Sequence, residues 1–163
     1  MRALPRTTPF ARRFGAAVAV GTLYMASGCT VGVEVNPVTH TPDAAGLAAC
    51  SQVMAALPTT VAGMSGTINQ SGRAAQWGID EDSVLLQCGV AKPAGLEPSS
   101  RCDVINGVGW WAEKNEGGYY RFTTIGRAAH VEVIVPSVHA PEADVLNELS
   151  AAVAKDPVVT PCA

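Results

Sequence analysis

The sequence predicts an α+β domain: an antiparallel sheet of about four strands, packed with an N-terminal and a C-terminal helix and stapled by two disulfides. Three observations carry this. Apolar residues recur at helical spacing near both ends of the domain, at Leu47, Cys50, Val53, Met54 and Leu57 and again at Val145, Leu146, Leu149 and Val153. Between them lie strand-like runs separated by glycine and proline turns, and runs of strands with helices segregated at the ends belong to α+β layered folds. Four cysteines, Cys50, Cys88, Cys102 and Cys162, are spread through the same region.

The elements follow in order. Thr41 reads as an N-cap with Pro42 in the first helical position, and Pro58 stops the first helix. Residues 59–77 hold three glycines and read as one irregular strand and a loop. Ser83 to Val90 is a buried strand. Cys102 to Glu113 and Tyr119 to Ile125 are two strands joined through Asn115-Glu116-Gly117-Gly118, a hairpin signal. Ala129 to Pro136 places Val131, Val133 and Val135 on one face with period two. Pro141 opens the second helix, and Pro157 lies beyond its end.

The chain of 163 residues also carries a leader. Residues 1–28 read as a signal peptide, with four arginines, no acid and a short apolar stretch from Phe14 to Met25. That stretch falls short of the roughly 20 residues a membrane-spanning helix needs. Arg12-Arg13 faintly suggest a twin-arginine signal. Ala26-Ser27-Gly28-Cys29 resembles the lipobox of bacterial lipoproteins, with Ala26 where leucine usually stands. The preferred reading is a lipid on Cys29 that holds the protein at the outer face of the cytoplasmic membrane. The alternative is an ordinary signal-peptidase site and a secreted protein; both cut before Cys29. Residues 29–42, with two prolines and no apolar periodicity, read as a flexible tether, and residues 43–163 as the folded domain.

Setting Cys29 aside leaves an even number of cysteines, hence two disulfides. Cys88 and Cys102 flank a turn-rich stretch and are expected to bridge neighbouring strands. Cys50 and Cys162 would then clip the chain's end to its start. Zinc is disfavoured because no CxxC or CxxH pair exists.

Beyond residue 28, 14 acids face seven bases, a net charge of −7. Such a body offers no clustered Lys and Arg for nucleic acid, which excludes that partner. Candidate chemistry is sparse. Ser65 sits in a glycine loop that lacks the G-x-S-x-G spacing. His130 and Glu132 share a strand face with His139 nearby, a donor set that a polar outer face explains more simply than zinc or iron. Asp80-Glu81-Asp82 is a short acidic run, and paired acids can cleave glycosidic bonds when fixed across a cleft. Consecutive Trp110 and Trp111 must point to opposite faces of a strand. One belongs to the core; the other is covered by a helix or stands exposed near Tyr119, able to grip an apolar ligand or stack on a sugar. Arg121 and Arg127 complete the candidate ligand contacts, with ion pairing to Glu113 or Glu132 as the structural explanation. No catalytic residue, metal or cofactor is assigned.

The stretch Leu86-x-Cys88-Gly89-Val90-x-x-Pro93-x-Gly95-Leu96-x-Pro98, followed by Cys102 and Asn106-Gly107-Val108, resembles a family of exported actinobacterial proteins described only as a domain of unknown function. Ala75-x-Trp77-Gly78, Thr123-x-x-Gly126-Arg127, Val131-x-Val133-x-Val135-Pro136 and Leu149-Ser150-x-Ala152-Val153 extend the resemblance over roughly residues 48–155. It implies an envelope protein of high-GC Gram-positive bacteria and supplies no reaction or catalytic residues. The expected function is a non-enzymatic module that binds an envelope protein or cell-wall component through an exposed sheet face. An envelope hydrolase and a carrier of an apolar lipid are the alternatives.

Overall fold

The computed structural model describes residues 37–162. The signal peptide, Cys29 and most of the expected tether lie outside the described residues. Helix α1 spans Ala44–Ala56 and helix α2 Glu142–Val153. Between them run β1 (Thr60–Val61), β2 (Met64–Asn69), β3 (Ala74–Trp77), β4 (Val84–Cys88), β5 (Asp103–Ile105), β6 (Val108–Asn115), β7 (Tyr119–Thr124) and β8 (Val131–Pro136). All strand pairings are antiparallel, in the order β1-β2-β3-β4-β8-β7-β6-β5.

The sheet thus has eight strands rather than about four. The extra strands come from two places. Residues 59–77 fold as a three-stranded meander, not as one irregular strand. Its first turn is tight, with Val61 paired to Met64 and both Ala62 and Gly63 at positive φ (49° and 73°). Ala62 is strained in that region, and its N–H is held by the Glu148 carboxylate of α2 at 3.1 and 3.3 Å. The second place is residues 102–113, which break at Asn106-Gly107. Both residues have positive φ (47° and 77°), the backbone a two-residue hairpin turn demands.

Both helices lie on one face. Asp43, not Thr41, caps α1; its side chain accepts from the Gly46 N–H at 2.8 Å. The face α1 buries is Gly46, Ala49, Cys50, Val53 and Met54, while Leu47 is exposed. Small residues take the inner positions because the helix start packs against Pro42 and the Ala128 carbonyl. Helix α2 buries Val145, Leu146, Leu149, Ala152 and Val153. These side chains meet Val84, Leu86, Val131, Val133, Val135, Trp77 and Trp110 in one core.

All four cysteines of the domain are in disulfides, but the pairing is Cys50–Cys88 and Cys102–Cys162. The expected Cys88–Cys102 bridge is impossible in this sheet. Three strands, β8, β7 and β6, separate β4 from β5, a gap on the order of 20 Å at about 4.8 Å per strand. Disulfides need Cα atoms within roughly 7 Å; the observed pairs stand at 5.5 and 6.0 Å. Closing loops of 38 and 60 residues, each bridge removes about 4 kcal/mol of unfolded-chain entropy in the chain-entropy model.

Residues 38–42 are attached to the domain. The Val38 N–H donates to Gly72 O at 2.9 Å, and Arg73 donates to the carbonyls of Val38, His40 and Cys88.

Candidate functional site

Strand alternation fixes which side chains reach the helix-free face. Trp110 points to the core and is fully buried; Trp111 points the other way and is half-buried. The register places Trp111 beside Thr123 and Thr123 beside Glu132. The next row is Glu113, Arg121 and Ile134, and beyond it Asn115, Tyr119 and Pro136. Trp111, Tyr119 and Arg121 therefore share this face.

The face is not bare. The connection from β4 to β5, residues 89–102, crosses it as a strap. Two turns shape the strap, Leu96 N–H to Pro93 O at 3.1 Å and Ser100 N–H to Glu97 O at 2.9 Å. Gly95 seats against the Trp111 ring so closely that a Cβ there would lie 3.2 Å from Cη2 and Cζ2. Trp111 is thus covered by a loop glycine rather than by a helix. Arg121 Nε lies 3.3 Å from Glu132 Oε2 without hydrogen-bond alignment. Burial pushes the Glu132 carboxyl above its usual range; Arg121 opposes that and Glu113 adds to it. Thr123 is fully buried and its hydroxyl has no hydrogen-bond partner.

Toward the end of the face where β8 begins, the strap stands away from the sheet. A cleft of about 400 Å³ opens there between Lys92, Leu96 and Glu97 of the strap, Ile125 and His130 of the β7–β8 connection, and the tail, residues 160–162. A recess of about 390 Å³ shares Lys92 and His130 with it and continues to His40 and Asp43. A third, of about 240 Å³, shares Ile125 and the tail and reaches Val104 and Arg127. The three adjoin as a segmented groove across one end of the domain, with the tail standing between the first and the third.

Both groove histidines have one ring nitrogen committed. His40 Nδ1 is 2.9 Å from Gly89 O, and His130 Nδ1 is 3.2 Å from Thr124 O. A ring nitrogen facing a carbonyl oxygen carries a proton, so Nδ1 donates in each case and Nε2 is the nitrogen left to a ligand. With the Lys92 ammonium and the Glu97 carboxylate, the walls offer acceptors, a cation and apolar surface. They are suited to reading a polar chain.

A family model described as Protein of unknown function (DUF3515) matches residues 13–160. The chain belongs to this family. No curated protein and no solved structure matches it. The family brings no reaction, so function rests on the site.

The other candidate residues fall elsewhere. Arg127 is spent on backbone, donating to the carbonyls of Asp156 and Gly107. Asp80 to Asp82 form the β3–β4 turn at the far end of the sheet, where His139 Nε2 meets Asp82 O at 2.7 Å. The length of β8 therefore separates His139 from His130, about 20 Å at 3.3 Å per residue. Among the described residues, no three His, Cys, Asp or Glu side chains converge as metal ligands. Ser65 stands exposed on β2. Sequence reasoning missed Lys92, Glu97 and His40; the signal available was a lysine beside Pro93 and Gly95 in a chain with three lysines. The two disulfides suggest an oxidising, extracytoplasmic location. No helix among the described residues is long and apolar enough to cross a membrane.

Asp156 was also missed. It is fully buried just past α2, and its carboxylate accepts the Ala129 N–H at 3.2 Å on both oxygens. It thereby sets the segment that delivers His130 to the groove. Burial pushes its pKa from 3.8 up to about 6, against the opposing pull of the Ala129 N–H and Arg127. The folded state then holds this proton to higher pH than the unfolded chain. The stability it contributes is full below about pH 4 and is lost as pH rises through about 6. Asp156→Asn keeps an acceptor for Ala129 and removes the titration. In urea unfolding between pH 4 and 7, the variant's midpoint is expected to fall less than the wild type's. Equal falls would show that Asp156 does not titrate in this window.

Proposed function

We propose that the protein is an exported, lipid-anchored envelope module that binds an extended peptide segment of a partner protein along the groove at the tail end of the sheet. The observation that carries this reading is the groove itself. Five segments distant in sequence, the stretch before α1, the strap, the β5–β6 hairpin, the turn before β8 and the tail, line adjoining recesses with mixed polar and apolar walls. Adjoining small recesses of this kind suit successive side chains of an extended chain.

Three features favour binding over the alternatives. The acids of the β3–β4 turn and Ser65 lie away from the groove, and among the described residues no side chain is hydrogen-bonded or ion-paired to their carboxylates or hydroxyl. Part of the Trp111 ring is occupied by Gly95, which argues against a sugar-stacking platform. The interface between sheet and helices is filled by Trp77, Trp110, Leu86, Leu146 and Leu149, where an apolar lipid would have to sit.

Peptides selected from a random display library on the purified domain test the groove. Lys92→Glu and His130→Ala are each expected to weaken the selected peptides at least ten-fold, while Lys114→Glu on the opposite side leaves binding unchanged. Binding indifferent to both groove changes would overturn the assignment. The anchor has its own test: Cys29→Ser should move the protein from the detergent phase to the aqueous phase in detergent partitioning. An unchanged distribution would rule out the lipid.

A further inference from the structure

The two disulfides stand in opposite surroundings. Cys50 and Cys88 are fully buried between α1 and β4. Cys102 and Cys162 are half-buried and both line the main cleft. Their sulfurs lie flat on Gly109, where a Cβ would stand 2.6 and 2.8 Å from them. This bridge therefore sits on the groove floor, against a residue that leaves room for it.

Apart from the disulfide, the tail is attached through one short antiparallel bridge, Arg127 to Val158, and its flanking backbone bonds. After the buried Asp156, residues 157–161 are all exposed. Val158 and Val159 leave 60% and 69% of their surface in solvent, so burial does little to hold them. The backbone bonds are Ala128 N–H to Pro157 O at 3.0 Å, and Val159 and Thr160 N–H to Gly126 O at 2.7 and 3.0 Å. All lie before the last two described residues, Pro161 and Cys162. Yet Thr160, Pro161 and Cys162 form the wall that the main cleft shares with the recess at Val104 and Arg127.

We infer that Cys102–Cys162 is a reducible latch on the groove: a dithiol that reaches it frees the tail, removes the shared wall and merges the two recesses. The groove's role as a binding site rests on the function proposed above; the latch itself does not. The chemistry is thiol–disulfide exchange. A thiolate of the dithiol attacks one sulfur of the bridge and displaces the other as a thiolate. The second thiol of the reagent then attacks the mixed disulfide and releases the first cysteine. The bridge takes up two electrons and two protons, and the dithiol is oxidised to its own disulfide. Cys50–Cys88 is shielded from the same attack because neither sulfur-bearing residue exposes surface.

The test uses the full chain under native conditions with limiting dithiothreitol, timed trapping by N-ethylmaleimide and separate mass measurement of each cysteine peptide. Cys102 and Cys162 are expected to label at least ten-fold faster than Cys50 and Cys88. In the selectively reduced protein, and in the Cys102→Ser, Cys162→Ser double variant, amide exchange at Val159 and Thr160 is expected to rise at least ten-fold while Val131 and Val133 stay protected. Equal labelling of the two pairs would overturn the latch, as would unchanged exchange at Val159 and Thr160. Neither readout uses a groove ligand. A chain that binds peptides but fails these measurements keeps the groove and loses the latch, and one that passes them without binding peptides does the reverse.

Discussion

Cys88 ends β4 near the middle of the sheet with its side chain toward the helices, and there it meets Cys50 of α1 at a Cα separation of 5.5 Å. Much of the architecture depends on this one bridge. It pins α1 over β4, so that the helix layer lies across the valine rows of β4 and β8 and covers a single face. It takes up the only cysteine at the sheet's centre, which leaves Cys102 at the edge to find Cys162. The tail is then drawn onto the edge of the uncovered face, where it becomes a wall of the groove. Strand alternation sets which face is core, and this bridge secures α1 over it.

The groove's other margins are held by arginines aimed at carbonyl groups rather than at carboxylates. Arg73 gathers the carbonyls of Val38, His40 and Cys88 and sets the stretch before α1 against the end of β4. Arg127 gathers those of Asp156 and Gly107 and ties the end of α2 to the β5–β6 turn. A guanidinium presents five donors in a rigid fork, so each can close several loop carbonyls that no strand satisfies. By contrast, the Arg121–Glu132 pair on the sheet face is partly solvent-exposed, and pairs of that kind contribute little. Loops pinned through backbone atoms leave the groove's side chains, Lys92, Glu97 and the two Nε2 atoms, available to a ligand.

Both helices were legible because their apolar residues repeat at 3.6, as was β8 because its valines alternate. The hairpin after Asn115 was legible from its glycines. The meander over residues 59–77 was not, because its strands are short and rich in small or polar residues, with the apolar side chains that pack, Val61, Met64, Ile68 and Trp77, scattered among them. The Asn106-Gly107 turn was hidden inside what reads as one continuous strand. The cysteine pairing failed for a topological reason: β4 and β5 are consecutive in sequence yet separated by three strands that arrive later in the chain. Parity alone put Trp110 and Trp111 on opposite faces; the β6–β7 register then sets Tyr119 and Arg121 on the Trp111 side. The groove lay beyond sequence reading because its walls come from residues 40–43, 90–102, 104–109, 125–130 and 158–162, brought together only by that strand order.

The strand order is the central claim, and it has a direct chemical signature. Proteolysis of the oxidised protein without reduction, followed by mass spectrometry of the linked peptides, should yield Cys50 joined to Cys88 and Cys102 joined to Cys162. A peptide joining Cys88 to Cys102 would contradict the sheet order, and with it the placement of the groove.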